Sequence, residues 1–185
     1  MHISTLILII AVLVILWLIA TYNSLVRTRN RVDEAWSDIE VQLKRRYDLI
    51  PNLVSAVKGY AAHEKGILEE VTRLRSQWGQ AANIPDKVAA ANSLGGALSR
   101  LLMVSENYPN LKADQSFLEL QSQLEGTENR IAVERMRYNE AVQQFNAYQQ
   151  SLFGSLFASQ THLTQAAVYF KASAQAEQSA PVVKF

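Results

Sequence analysis

The residues of this chain that could carry chemistry are few and widely spaced. Its three histidines are His2, His63 and His162, and it contains no cysteine. Glu64 follows His63, but the second histidine of the zinc-hydrolase helix pattern is missing. No glutamate precedes a histidine by three residues, as the di-iron helical bundles require. With neither a glycine-rich phosphate loop nor a nucleophile motif, we predict no metal, no cofactor and no enzymatic activity.

The composition excludes some partners and favours one type of secondary structure. The 185 residues carry a net charge of +1, and no stretch interleaves dense Lys and Arg with aromatic residues. A nucleic-acid partner is therefore not expected. Seven glycines and four prolines are few for this length, and Gln, Ala, Leu, Glu and Arg dominate after the first segment. These residues favour helix, so we predict an all-α chain.

The first segment is typical of a membrane-spanning helix. The run Ile3–Ala20 is almost entirely aliphatic, and no charged side chain occurs before Arg27. As a helix it would extend about 27 Å, close to the roughly 30 Å hydrocarbon thickness of a bilayer. A cleaved signal peptide is the alternative, but it would need a basic start and small residues before Thr21, where Leu18 stands instead. We predict an uncleaved anchor over residues 1–23.

Three arginines follow this span and indicate its orientation. Arg27, Arg29 and Arg31 lie just after it, whereas only the amino terminus and His2 precede it. The excess of positive charge predicts that the C-terminal part lies in the cytoplasm. The same side chains are candidates for contact with anionic lipid, worth about 1 kcal/mol each near the surface.

Two heptad patterns predict the packing faces of the following helices. We call their apolar positions the seam; its members include Trp36, Leu43, Ile50 and Trp78 in the first pattern, and Phe117 and Phe145 in the second. Apolar residues at this spacing are typical of helices in a bundle or coiled coil. The seam is therefore the predicted contact face, either within the chain or with a partner.

Pro51 falls inside the first heptad pattern and leaves two interpretations open. In one, a long helix continues past Pro51 with a kink, since the seam is not interrupted. In the other, Asp48 caps a new helix with Pro51 in its tolerant first turn, and the flanking segments form a hairpin. We favour the hairpin slightly, because it makes the segments similar in length.

Turn signals divide the rest of the chain. Residues 79–86 form a predicted loop, and a helix over 87–106 and a turn over 107–110 follow. Asp114 is a predicted N-cap for a long helix that Gly154 ends. Beyond it, Leu156, Leu163 and Phe170 suggest a last amphipathic helix before an extended end at residues 181–185.

Polar residues on or beside the seams predict an ion-pair network. Burying one such charge alone would cost several kcal/mol, so each needs a partner. We expect Arg46 and its neighbours to pair with carboxylates of the 114–153 helix, as a device for register or partner choice and not for catalysis. The predicted network comprises Arg45, Arg46, Asp48, Glu64, Glu128, Arg130, Glu134, Arg135 and Asn139.

Several motifs resemble the bacterial LemA family. They are Tyr22-Asn-Ser-Leu-Val-Arg-Thr-Arg-Asn30, the run from Glu34-Ala-Trp-Ser-Asp to Pro51-Asn-Leu-Val54, Lys58-Gly-Tyr-Ala-Ala-His-Glu64, and Glu128-Asn-Arg-Ile-Ala-Val-Glu-Arg-Met-Arg-Tyr-Asn-Glu-Ala-Val142. The resemblance implies a transmembrane helix that continues into an antiparallel up-and-down four-helix bundle. It implies a bacterial inner-membrane location and no established enzymatic activity. Residues 147–180 depart from the family's usual pattern, because no Phe-Pro follows Asn146, and we expect a contact there that is particular to this chain.

These observations define a domain plan and three hypotheses for the function. The plan is an anchor over 1–23, a LemA-like helical bundle over 24–153 and an amphipathic or extended tail over 154–185. The first hypothesis is a non-enzymatic scaffold or adaptor in contact with membrane lipid, which forms a homo-oligomer and organises membrane or envelope protein complexes. The second is a regulator that binds another membrane protein, such as a protease or an envelope-stress complex. An enzyme using Arg46, His63 and Glu64 is the third and least supported.

Overall fold

A computed structural model of the protein describes residues 2–61, 63–160 and 167–171, except for the side chains of residues 2, 156, 159 and 160. The described residues contain no strand, and the prediction of an all-α chain is confirmed. The helices are α1 (His2–Tyr60), α2 (Lys65–Gln80), α3 (Ile84–Ser105), α4 (Pro109–Lys112), α5 (Gln115–Gln149) and α6 (Leu152–Gln160).

Helix α1 passes through Pro51 without a break, so the favoured hairpin interpretation is wrong. Ile50 and Leu53 are buried on either side of Pro51, whose own ring is exposed. Burial of this apolar face holds the helix together where the proline disfavours it. Asp48 does not cap a new helix; its Oδ2 accepts a 3.0 Å bond from Lys44 Nζ within the same helix. The chain turns only after Tyr60.

The chain divides into two compact units, which we call the anchor unit (Met1–Asp38 with Met136–Tyr169) and the bundle unit (Ile39–Arg135 with Phe170–Phe185). In the bundle unit, sequential helices run antiparallel. Arg75, late in α2, contacts Tyr47, which is early in the part of α1 that belongs to the bundle unit. Arg100, late in α3, contacts Glu70, which is early in α2. These segments enclose a core that includes Ile50, Leu53, Val57, Val71, Leu74, Leu98, Leu101, Phe117 and Leu124.

Side-chain caps set where the bundle helices begin. Asn83 Oδ1 accepts a 2.9 Å bond from Asp86 N, so α3 starts at Ile84, three residues before the predicted start. Pro85 lies in the first turn of α3, where its missing N–H costs little. Pro109 begins the short α4 inside the predicted turn. Phe117 N donates a 2.9 Å bond to Asp114 Oδ1, the predicted cap position of α5.

Asp114 makes this cap sensitive to pH. Two hydrogen bonds lower the pKa of the Asp114 carboxyl: the larger effect comes from the Phe117 N–H, and the next from the Tyr60 hydroxyl at 2.9 Å. A carboxyl with a lowered folded-state pKa stabilises the fold above its unfolded pKa of 3.8, and that stability is lost as the pH falls through the folded-state pKa.

We therefore expect Asp114→Asn to retain a cap while losing part of the acid sensitivity of unfolding. The measurement is the urea midpoint of the full chain in mild detergent at neutral pH and near pH 3. Ser116→Ala is the control, because that exposed side chain does not titrate. An equal drop in midpoint for the parent and Asp114→Asn would contradict the assignment.

In the anchor unit, α5 returns antiparallel along α1. The rings of Trp36 and Tyr138 lie 5.6 Å apart, and Tyr148 Oη donates a 3.0 Å bond to the carbonyl oxygen of Thr21. Later residues of α5 thus contact earlier residues of α1. The end of α5 lies beside the residues that follow the apolar run of α1.

The segment Ala167–Lys171 is not helical, so the predicted amphipathic helix does not extend to Phe170. Asn146 holds its beginning by two bonds: Nδ2 donates to the Ala167 carbonyl oxygen at 3.1 Å, and Oδ1 accepts from Ala167 N at 2.9 Å. Tyr138 Oη donates to the Val168 carbonyl oxygen at 2.8 Å. Leu163 and the predicted extended end, 181–185, lie outside the described residues.

Gly154 does not end α5, contrary to the prediction; α5 ends at Gln149 and Gly154 lies in the first turn of α6. Gly154 N donates a 3.1 Å bond to Ser151 Oγ, which makes Ser151 the cap of α6. A Cβ at this position would lie 1.9 Å from the carbonyl oxygen of Tyr148. The tight connection between α5 and α6 therefore requires glycine.

We expect Gly154→Ala to displace α6 and to lower the free energy of unfolding by about 2 kcal/mol, the usual range for overpacking. Gly126→Ala is the matched control, because no atom lies within 4 Å of its Cβ position and alanine favours the helix by about 1 kcal/mol. Denaturant unfolding should show a lower free energy of unfolding than the parent for Gly154→Ala and a higher one for Gly126→Ala. Equal stability of Gly154→Ala and the parent would show that the connection is loose.

Candidate functional site: a buried arginine pair and the arginines after the apolar run

Arg46 is the most buried charged side chain described, at 6% exposure, and it lies on α1 in the bundle unit. Its Nη2 donates to Glu128 Oε2 on α5, whose own side chain is 56% exposed. The guanidinium lies close to Gly95 on α3, where a Cβ would lie 3.5 Å from Arg46 Nη1, an ordinary van der Waals distance. The ion pair thus joins a buried cation to a carboxylate that remains in contact with water.

A second arginine of the bundle unit adds positive charge near Arg46. Burial lowers the pKa of Arg46 to about 10, and the charge of Arg135 lowers it further in the same direction. Burial also lowers the pKa of Arg135. The guanidinium carbon of Arg135 lies 4.6 Å from the ring centre of Phe170, and its buried Nε finds no hydrogen-bond partner among the described residues. Among the described contacts, Glu128 accepts from Arg46 and the Phe170 ring lies against Arg135, and both contacts offset this positive charge.

The other residues of the predicted network are distributed over the helices. Glu64 is half-buried and its Oε1 accepts a 3.1 Å bond from Tyr108 Oη. Asp48 pairs with Lys44. Arg45 and Arg130 are exposed, and Glu134 and Asn139 are half-buried. Among the described contacts, the structure therefore brings together Arg46, Glu128 and Arg135 from the predicted set.

The predicted seam faces inward. All six of its named members are buried: Trp36, Leu43, Ile50, Trp78, Phe117 and Phe145. These side chains pack the helices of the chain itself and are not exposed for a partner. Any surface for self-association must be made by other residues.

The three arginines after the apolar run differ in environment. Arg27 and Arg31 are exposed. Arg29 is half-buried; its Nη2 lies 3.1 Å from Asp33 Oδ1, and its guanidinium carbon lies 5.7 Å from the centre of the Phe145 ring. Arg29 is thus partly used for packing in the anchor unit, and Arg27 and Arg31 are available to a charged surface.

The apolar run of α1 is exposed along its length. The stretch from Ile3 to Ile19 is exposed. Its most apolar 18 residues have a mean hydropathy of 3.1, and none of them is buried within the described structure. By length and composition, α1 is able to cross a membrane. Trp17 lies near the end of this stretch and Tyr22 just after it, and aromatic rings of this kind are enriched at membrane–water interfaces.

Sequence reasoning missed several polar contacts of the bundle unit. The guanidinium carbon of Arg75 lies 4.1 Å from the centre of the Tyr47 ring, which also packs against Trp78. Lys87 on α3 pairs with Glu40 on α1. Such pairs join residues far apart along the chain, and no local spacing marks them. Only the register between helices reveals them.

The described residues show little that resembles a reaction centre. They contain no group of three or more His, Asp or Glu side chains that could hold a metal ion. An open cavity of about 490 Å³ lies between α2 and α3. Its polar lining includes Glu70, Ser93 and Arg100. Glu70 pairs with Arg100 at 2.6 Å, and Ser93 Oγ donates a 3.0 Å bond to the carbonyl oxygen of Ala89 within α3. The carboxylate and the hydroxyl are thus each engaged in a contact within the bundle unit.

A helix able to cross a membrane, followed along the same chain by antiparallel packed helices, defines a membrane-associated helical protein. The model of the LemA family matches residues 35–185, and the chain belongs to that family. The match includes residues 147–180, so this stretch lies within the family's region even though it lacks the Phe-Pro element.

Individual relatives are similar at modest identity. Protein LemA of Metamycoplasma hominis is 27% identical over 154 residues, which cover 80% of this chain and 68% of that protein. Magnetosome protein MamQ 2 of Paramagnetospirillum magneticum is 27% identical over 168 residues, 75% of this chain and 62% of that protein. Magnetosome protein MamQ of Magnetospirillum gryphiswaldense is 26% identical, with 70% and 57% covered. The chain spans about three fifths of the length of these MamQ proteins.

Proposed function

We propose that this protein is a non-enzymatic, single-pass membrane scaffold or adaptor that self-assembles at the bacterial inner membrane and organises membrane or envelope protein complexes. The observation that carries the proposal is the exposed apolar run of α1. Apolar surface costs about 25 cal/mol per Å² in water, and exposed patches beyond a few hundred Å² mark interaction sites. Membrane lipid is the partner that covers an uncharged helix of this length on all sides.

The proposed orientation places the bundle unit in the cytoplasm. Arg27 and Arg31 are exposed just after the apolar run, and no lysine or arginine precedes it. Positive charge is retained on the cytoplasmic side of a span. The same arginines are the proposed contacts to anionic lipid headgroups.

The non-enzymatic part of the proposal is supported by the site and by the relatives. The buried Arg46 is engaged in an ion pair with Glu128, and no nucleophile lies among the described contacts of Arg46. The names of the relatives, LemA and MamQ, are not those of enzymes. We infer that the ion pair serves the register of the helices.

Self-assembly requires exposed apolar residues outside the buried seam. In the bundle unit these include Val41 and Leu118. Scattered exposed apolar residues are common on protein surfaces, so the assembly is tested directly. A photoreactive residue at Val41 should give cross-linked products at multiples of the chain mass in native membranes, and one at the buried Leu53 should not. Monomer alone from photoreactive residues at both Val41 and Leu118 would contradict self-assembly and leave the anchor unaffected.

Membrane anchoring and orientation are tested together through single cysteines. The chain has none of its own, so Met103→Cys provides one reactive thiol. We expect the protein to stay in the membrane pellet after alkaline carbonate, and Met103→Cys to react with an impermeant maleimide only after the cells are broken. Labelling in intact spheroplasts would reverse the proposed orientation. Release by carbonate would overturn the anchor.

A further inference from the structure

Helix α6 lies against α1 at the end of the apolar run, within the anchor unit. The rings of Trp17 and Phe153 meet edge to face with centres 4.4 Å apart. Farther along both helices, the rings of Tyr22 and Phe157 lie 6.3 Å apart. The start of α6 is therefore beside a residue of the apolar run itself, and its later part is beside the residues that follow the run.

The start of α6 also exposes large apolar side chains. Leu152 is 74% exposed and Phe153 is 42% exposed, even though Phe153 contacts Trp17. No aspartate, glutamate, lysine or arginine occurs from residue 141 to 170. This stretch of thirty residues therefore lacks the aspartate, glutamate, lysine and arginine side chains that are most costly to place in lipid.

We propose that α6 is a second membrane contact, inserted into the headgroup and upper acyl region of the bilayer beside α1. The proposal rests on the anchoring of α1 proposed above. Trp17 lies three residues before Ala20, which corresponds to about 4.5 Å along the helix. Interfacial helices bury their apolar face about 5–10 Å into this region. The contact between Trp17 and Phe153 thus places the start of α6 close to this range of depth, and the contact between Tyr22 and Phe157 places its later part nearer to the membrane surface.

The tight connection before α6 supports this placement. Tyr148 Oη donates to the carbonyl oxygen of Thr21, which fixes the end of α5 beside the end of the apolar run. Ser151 Oγ donates a 2.7 Å bond to the Tyr148 carbonyl oxygen and accepts one from Gly154 N. These bonds hold α6 against α1, so its exposed apolar residues enter the lipid with the span.

The test uses environment-sensitive fluorophores on single cysteines in the full chain. The chain is reconstituted in vesicles of phosphatidylethanolamine and phosphatidylglycerol, with or without lipids that carry a nitroxide quencher near the headgroup. One probe at Ile10→Cys reports the anchor, one at Ser155→Cys reports α6, and one at Met103→Cys, a 68% exposed site in the bundle unit, reports non-specific contact. We expect blue-shifted emission at Ile10 and Ser155, nitroxide quenching at Ser155, and neither effect at Met103.

A charge on the exposed surface separates insertion from simple proximity. Leu152→Glu should reduce the quenching at Ser155, and Leu118→Glu, a comparable exposed leucine of α5, should not. An unquenched Ser155 probe with a lipid-embedded Ile10 probe would overturn the inference and leave the anchor standing. A water-exposed Ile10 probe would overturn the proposed function itself. Equal quenching at Met103 and Ser155 would show adsorption of the whole chain and also overturn the inference.

Discussion

Pro51→Ala is expected to raise the free energy of unfolding by about 3 kcal/mol, the usual cost of a proline inside a helix. Pro51 lies in the interior of α1 and its ring is exposed, so alanine restores a helical N–H without opening a cavity in the core. The measurement is guanidinium unfolding of the full chain in mild detergent, followed by the circular dichroism of the helices.

Pro85→Ala is the matched control for this change. Pro85 occupies the first turn of α3, where its N–H has no helical partner to lose, so the substitution should change stability little. A gain from Pro51→Ala no larger than that from Pro85→Ala would show that α1 does not continue through residue 51 in solution. The hairpin interpretation of the sequence would then be restored.

Arg46→Met is expected to raise the free energy of unfolding by about 2 kcal/mol, although it removes an ion pair. Burial and the charge of Arg135 make the charged form of Arg46 unfavourable in the folded state, while Glu128 remains largely exposed to water without it. Replacing a buried charge by an apolar side chain of similar length removes this desolvation cost and keeps the packing of the stem.

The pH dependence follows with a definite sign. Folding lowers the pKa of Arg46 to about 10, so above that pH the unfolded chain keeps this proton where the folded chain begins to lose it. The unfavourable contribution of Arg46 to stability is fully present below about pH 10 and decreases as the pH rises above that value. At neutral pH the cost is therefore present, and Arg46→Met relieves it.

Two variants separate the charge of Arg46 from its packing. Arg46→Ala also removes the stem and should lower stability by about 2 kcal/mol, within the range for truncation of a buried side chain. Arg45→Met, at the exposed neighbouring position, should have an effect below about 0.5 kcal/mol. A loss of stability in Arg46→Met similar to that in Arg46→Ala would show that the pair with Glu128 is net favourable.

The helical class and the packed faces could be predicted from the sequence because heptad spacing depends on local geometry alone. Residues seven apart lie on one face of a helix, so the rows through Trp36 and Phe117 identify the buried side of α1 and α5 without knowledge of the fold. The cap at Asp114 is equally local. The exposed apolar run needed only length and composition.

The features that the sequence did not predict depend on contacts between distant segments. α1 continues through Pro51 because Ile50 and Leu53 are buried, and this tertiary packing outweighs the local tendency of proline to break a helix. Gly154 was predicted to end α5, but the glycine is needed because the carbonyl oxygen of Tyr148 leaves no room for a Cβ at this position. Arg135 is a member of the predicted network, but its position near Arg46 depends on the register of α1 against α5.

The way Asn146 holds Ala167 bears on how freely the tail sequence can change. The amide side chain donates to one backbone group of Ala167 and accepts from the other, as a neighbouring strand would in a sheet. Every residue except proline carries both groups, so the attachment does not distinguish one side chain from another at this position. Relatives can therefore diverge at position 167 and keep the same attachment, provided that they retain Asn146 and avoid proline.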